Sequence, residues 1–318
     1  MKKTILLTLT VFAGFSLSAE AVLLITFDFD PANDLTEIGI DNSANSILSL
    51  SNQALFNAAG SFWENSITGY ADGISRSLTI HASGFSQAAS GGGVTLGSAG
   101  PTLGNAFSLG GEIFVFTTAG QAEFNIHDDA TGGTGLLNGA TLRHEIGHIL
   151  GVGTLWNTTG FVTGSQNNYT TGTGQYTGAN ALAAYRNEFD PTAAFVPVEL
   201  DGGPGTANGH WNEVTDNFAV ENSVGFDSDP GDGAAALTVL SGLNSGLSID
   251  DALMTGVLSG SAFLSDTTLG SLQDIGYTTI DFNAEPVAFA AVPEPSSLLF
   301  SLLGLSALLV RRKRESSS

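Results

Sequence analysis

Cysteine is absent from all 318 residues, so no disulfide can staple the fold and no thiolate can hold a metal. Positive charge is scarce as well: nine Lys and Arg stand against 31 Asp and Glu. Six of the nine lie at the two ends (Lys2, Lys3, Arg311, Arg312, Lys313, Arg314), leaving only Arg76, Arg143 and Arg186 between them. So acidic an interior repels nucleic acid and anionic membrane surfaces, and it suits cation binding or a salty medium. No apolar run reaches the ~20 residues that span a bilayer comfortably; the stretch 296–310 has fifteen. Methionine is nearly missing, with Met254 the only one after the initiator, and histidine occurs five times.

What is present at the ends reads as processing signals rather than fold. Lys2 and Lys3 precede an apolar run over 5–15, and Ala19-Glu20-Ala21 fits a small-residue cleavage site. Residues 1–21 are therefore expected to be a signal peptide, with the mature chain starting at Val22. The other end reads VPEPSSLLFSLLGLSALLVRRKRESSS, a Pro-Glu-Pro segment, an apolar run and a basic cluster. This three-part tail, 293–318, resembles the PEP-CTERM sorting signal of exported Gram-negative proteins. The resemblance implies an exosortase-type sorting partner, a transient C-terminal membrane anchor, and a cell-envelope or extracellular location.

Between the ends, residues 22–283 form one expected domain, split into 22–151 and 152–283, with 284–292 as linker. Strands are expected at 22–30, 76–81, 112–117 and 122–127 from their alternating and β-branched residues. Apolar spacing predicts an amphipathic helix within 43–64. Glycine, serine and alanine dominate 82–111, which reads as a long surface loop. Helices are expected at about 139–151, 179–188, 247–254 and 264–274. Strands first, then a helix, then irregular structure with further helices: that order suits an α+β domain.

The helix at 139–151 carries RHEIGHILG, which contains His144, Glu145 and His148. Residues four apart share a helix face, so both imidazoles can aim at one metal ion. Glu145 lies beside them, placed to accept a proton from a water the metal activates. This is the chemistry of zinc-dependent peptide hydrolysis. The longer form of the motif has a third histidine three residues after the glycine, but that position holds Thr154.

A catalytic zinc keeps three protein ligands, and the residues leave several sources for the third. His81 ends an expected strand, and His127 follows another beside Asp128 and Asp129. His210 sits in the glycine-rich stretch ELDGGPGTANGHWNE and is followed by Trp211. Glu188, on an expected helix, is the carboxylate candidate. A cluster of Asp227, Asp229 and Asp232 in FDSDPGDGA departs by one residue from the EF-hand spacing. It reads as a solvated acidic loop, with Ca²⁺ binding as the alternative.

Four separated stretches, HEIGHILGVGTLW, GGPGTANGHWNE, ALMTG at 252–256 and LSDTTLGSLQDIGY at 264–277, occur in this order. Together they resemble the leishmanolysin-like metallopeptidases, metzincins with a long insertion before the third histidine. The resemblance spans about 112–280. It implies a metzincin-like fold, with a twisted sheet and an active-site helix above a loop-rich lower subdomain. It implies one zinc held by His144, His148 and His210, Glu145 as general base and acid, and Met254 as a methionine turn beneath the metal. An edge strand near 122–127 would pair with extended peptide substrate. Two other readings stay open: a surface-displayed structural or adhesion protein with a non-catalytic zinc site, and a glutamate-ligated zinc protease using Glu188.

Overall fold

The computed structural model describes residues 22–29, 48–85, 96–125, 139–200, 205–212, 237–256 and 262–280. The expected signal peptide, linker and sorting segment, His127 and the acidic loop 227–233 lie outside them. The architecture is mixed α+β. Its main sheet has the order β1-β3-β5-β4, built from β1 (Leu23–Asp28), β3 (Arg76–Phe85), β5 (Glu112–Asn125) and β4 (Gly97–Leu109). β1, β3 and β5 run parallel, and β4 returns antiparallel along β5.

One face of this sheet is apolar because Leu78, Ile80, Ala82, Ala122 and Phe124 alternate inward. Two helices cover it, α1 (Leu50–Ser66) and α2 (Gly139–Leu150). The Phe56 ring meets Phe124 edge-on with centroids 5.1 Å apart. The Trp63 indole N–H donates to the Arg143 carbonyl at 2.8 Å, tying α1 to α2. Glu64 of α1 accepts the backbone N–H of Ile25 at 2.7 Å, which occupies a donor on the outer edge of β1.

Three expectations about the main sheet need correction. First, 82–111 is not one long loop, since β3 continues to Phe85 and 97–109 is strand β4. That segment is poor in strand-forming side chains, so propensity alone does not reveal it. The signal was the dipeptide Gly110-Gly111, whose φ values of 66° and 92° suit a tight two-residue hairpin turn. Second, 112–117 and 122–125 belong to one unbroken strand, β5. Gly120 is a packing device rather than an interruption: a Cβ there would lie 2.3 Å from Ile149 Cγ2 of α2. Third, β5 is central and not an edge. It pairs with β3 on one side and β4 on the other, so among the described residues β1 and β4 form the sheet's edges.

The second half is held by short elements. A strand β2 (Ile67–Tyr70) pairs with β8 (Tyr277–Thr279), and β6 (Gln175–Tyr176) pairs with β7 (Val196–Pro197). Helix α3 (Ala179–Glu188) has the predicted bounds, α4 spans Asp266–Asp274, and the expected helix at 247–254 is a single 3-10 turn, Ile249–Asp251.

Candidate metal centre

Helix α2 lays Leu142, Ile146 and Ile149 into the core, which puts His144 and His148 on the other side of the helix. Gly151 stops the helix with φ of 125°, and its N–H reaches back to the Gly147 carbonyl at 3.1 Å. Thr154, where the longer motif has histidine, donates instead to the His148 carbonyl at 2.6 Å. Gly153 has φ of 77°, and a Cβ on it would lie 2.3 Å from the Gly209 carbonyl oxygen. The turn leaving α2 therefore rests directly on the backbone one residue before His210.

That contact brings the third histidine home. His210 Nε2 lies 3.0 Å from His144 Nε2 and 3.0 Å from His148 Nε2, and the latter two are 3.1 Å apart. All three residues are buried. The rings of His144 and His210 are nearly parallel, at 16°, and His148 stands almost perpendicular to both.

The other ring nitrogens define the tautomers. His144 Nδ1 is 2.6 Å from the Leu253 carbonyl, His148 Nδ1 2.9 Å from that of Val152, and His210 Nδ1 2.8 Å from that of Thr206. A carbonyl only accepts, so each Nδ1 carries the proton and each Nε2 presents a lone pair. Burial pushes the His144 pKa well down, followed by the charges that His148 and His210 would carry, and it lowers His148 as well. Burial first and His148 second bring His210 down to about 3. Three neutral imidazoles thus point lone pairs at one another, a repulsive arrangement that a cation at their centre would reverse. Nitrogens about 2.0–2.1 Å from a tetrahedral zinc sit roughly 3.3–3.4 Å apart, within a few tenths of an ångström of this triangle. These residues are close enough to hold a metal ion.

Glu145, next in sequence to His144, is buried, and desolvation lifts its carboxyl to about 8. Met254 lies under the helix, for a Cβ on Gly147 would meet its Sδ at 2.6 Å. The Met254 segment is also hydrogen-bonded into the centre: the Leu253 carbonyl holds His144, and the Met254 carbonyl accepts the Trp211 N–H at 3.0 Å.

The remaining candidates are placed elsewhere. His81 Nδ1 lies 3.3 Å from Asp28 Oδ2 across β1 and β3. Glu188 does not approach the triangle: its carboxylate accepts the N–H groups of Asp266 and Thr267 and the Thr267 hydroxyl at 2.8–3.0 Å, capping α4. Sequence reasoning missed the three orienting carbonyls, which leave no side-chain signature, and Asn208, whose pairing with Gly209 marks a turn. Compared with models of known families and with curated proteins, the chain matches none.

Proposed function

We propose that this chain is an exported zinc metalloendopeptidase of metzincin type, similar to the leishmanolysin-like branch. The observation that carries the reading is the convergence of His144, His148 and His210 with Glu145 one residue from the first ligand. When bound, a zinc ion would supply Lewis acidity toward the scissile carbonyl and lower the pKa of the attacking water. The three histidines would hold such an ion through Nε2, and their Nδ1–H bonds to backbone keep the rings from turning. Glu145 takes the water's proton on a carboxylate oxygen and delivers it to the leaving amine nitrogen. A dication held by the histidines would favour its ionised form against the desolvation that otherwise raises its pKa. An extended peptide would add to the sheet along β4, which is an edge strand among the described residues. Export and exosortase-type sorting through 1–21 and 293–318 belong to the same proposal.

The test is zinc content and casein cleavage by the purified protein with and without chelator. Wild type should carry about one zinc and lose cleavage on chelation. His210→Ala should lose most of the metal. Glu145→Ala should keep it while cleavage falls by at least ~10²-fold. Wild type with neither zinc nor cleavage would sink the reading, and zinc without cleavage would favour a display protein with a non-catalytic metal.

A further inference from the structure

The third ligand approaches on a turn that has no help from a helix, so something else must hold His210 in register. The turn is Thr206–Gly209, closed by the Gly209 N–H to the Thr206 carbonyl at 3.3 Å. The same carbonyl accepts His210 Nδ1–H at 2.8 Å, so the shape of this turn sets the acceptor that orients the ligand. Its third residue, Asn208, has φ of 68° and is the one non-glycine residue with positive φ among those described. That position of a reverse turn tolerates glycine and asparagine.

A glycine would serve the backbone alone, and the side chain has separate work. Asn208 Oδ1 accepts the Tyr169 hydroxyl at 2.5 Å and the Gly172 N–H at 2.7 Å, both from a chain segment 36–39 residues earlier. The Asn208 N–H donates to the Glu199 carbonyl at 2.7 Å, and the Glu199 N–H donates to the His210 carbonyl at 2.9 Å. Tyr169 is itself buried, with its ring 5.8 Å from that of Trp156 in the chain leaving α2. A continuous path therefore runs from the segment after His148, through Tyr169 and Asn208, to His210.

We infer that Asn208, gripped by Tyr169, is the positioning residue that aligns His210 with the other two ligands. The inference rests on the metal reading proposed above. It concerns how tightly the triangle is pre-formed, so it is read in metal binding and not in turnover.

The experiment measures zinc affinity by chelator competition and the visible spectrum of the cobalt(II)-loaded full-length protein. Asn208→Gly keeps the turn and removes the grip; its zinc affinity should fall roughly 10- to 100-fold, as for other groups that orient metal ligands, with an altered cobalt spectrum. Tyr169→Phe should lose about 3- to 10-fold, and adding it to Asn208→Gly should cost nothing further, because both remove one interaction. Asn208→Asp keeps the acceptor and the left-handed preference, and should bind within about threefold of wild type. Wild-type zinc affinity in Asn208→Gly, or a lower melting temperature of the metal-free protein with affinity unchanged, would overturn the inference and leave the metal site standing. A wild type that takes up no metal would overturn the metal reading itself, and this inference with it.

Discussion

Single residues in this site act through backbone contact as much as through side-chain chemistry. Gly153 is the clearest instance, with its left-handed φ and its Cα hydrogens against the Gly209 backbone. Gly153→Ala should strain the turn by about 1–2 kcal/mol from the left-handed conformation alone. The added methyl must also displace the loop that carries His210. The expected outcome is a protein that folds but binds zinc at least ~10-fold more weakly, measured by chelator competition. Unchanged affinity would mean that the loop is not seated through this glycine. Gly147 has the matching role on the helix, where it leaves room for Met254.

At the scale of elements, α3 and α4 hold each other by exchanged carboxylates. Glu188, at the end of α3, caps the start of α4 through Asp266 and Thr267. Asp274, at the end of α4, accepts the Asn180 and Ala181 N–H groups at the start of α3 at 2.8 and 3.0 Å, with the Asn180 amide and the Tyr176 hydroxyl. Each negative charge thus meets the positive end of the other helix. Gly270 permits the close packing, since a Cβ there would come within 2.7 Å of the Ala181 backbone. Asp274→Ala orphans these donors and should destabilise the protein by about 2–4 kcal/mol in urea unfolding. Glu188 carries a pH signature. Desolvation raises its carboxyl to about 7, against the hydrogen bonds from Thr267 and Asp266 that pull it down. A pKa raised on folding favours the native state while the group is protonated, so this contribution is full below about 4.5 and is lost as pH rises through 7. Between pH 5 and 8 wild type should lose on the order of 2–3 kcal/mol that Glu188→Gln does not lose. Parallel pH profiles for the two proteins would contradict this.

Across the whole molecule, the histidine triangle joins α2, which packs on the sheet, to a loop from the second half of the chain. With no disulfide available, a bound metal would be the strongest single tie between the two. Zinc at 100 times its dissociation constant should add about 3 kcal/mol, which raises Tm by roughly 5–10 °C for a domain of this size. Chelation should reverse the gain, and His210→Ala should abolish the difference between loaded and stripped protein. A Tm indifferent to chelator in a wild type that binds zinc would mean that the metal does not tie the halves together.

The sequence by itself determined the pieces whose information is local. The spacing of His144 and His148 specifies a shared helix face, Ala179–Glu188 reads as a helix end to end, and glycine closes α2 where its pattern stops. These follow from periodicity and from backbone freedom at single positions. Tertiary structure decided what depends on partners distant in the chain. Strand β4 exists because β5 offers it a ladder across a Gly-Gly turn, although its own residues favour no strand. Glu188 and His210 were both able to ligate as residue types. Packing assigned one to cap α4 and brought the other to within 3.0 Å of two histidines more than sixty positions earlier. That assignment was not legible locally, because it depends on two glycine backbones meeting at Gly153 and Gly209 and on Tyr169 holding Asn208.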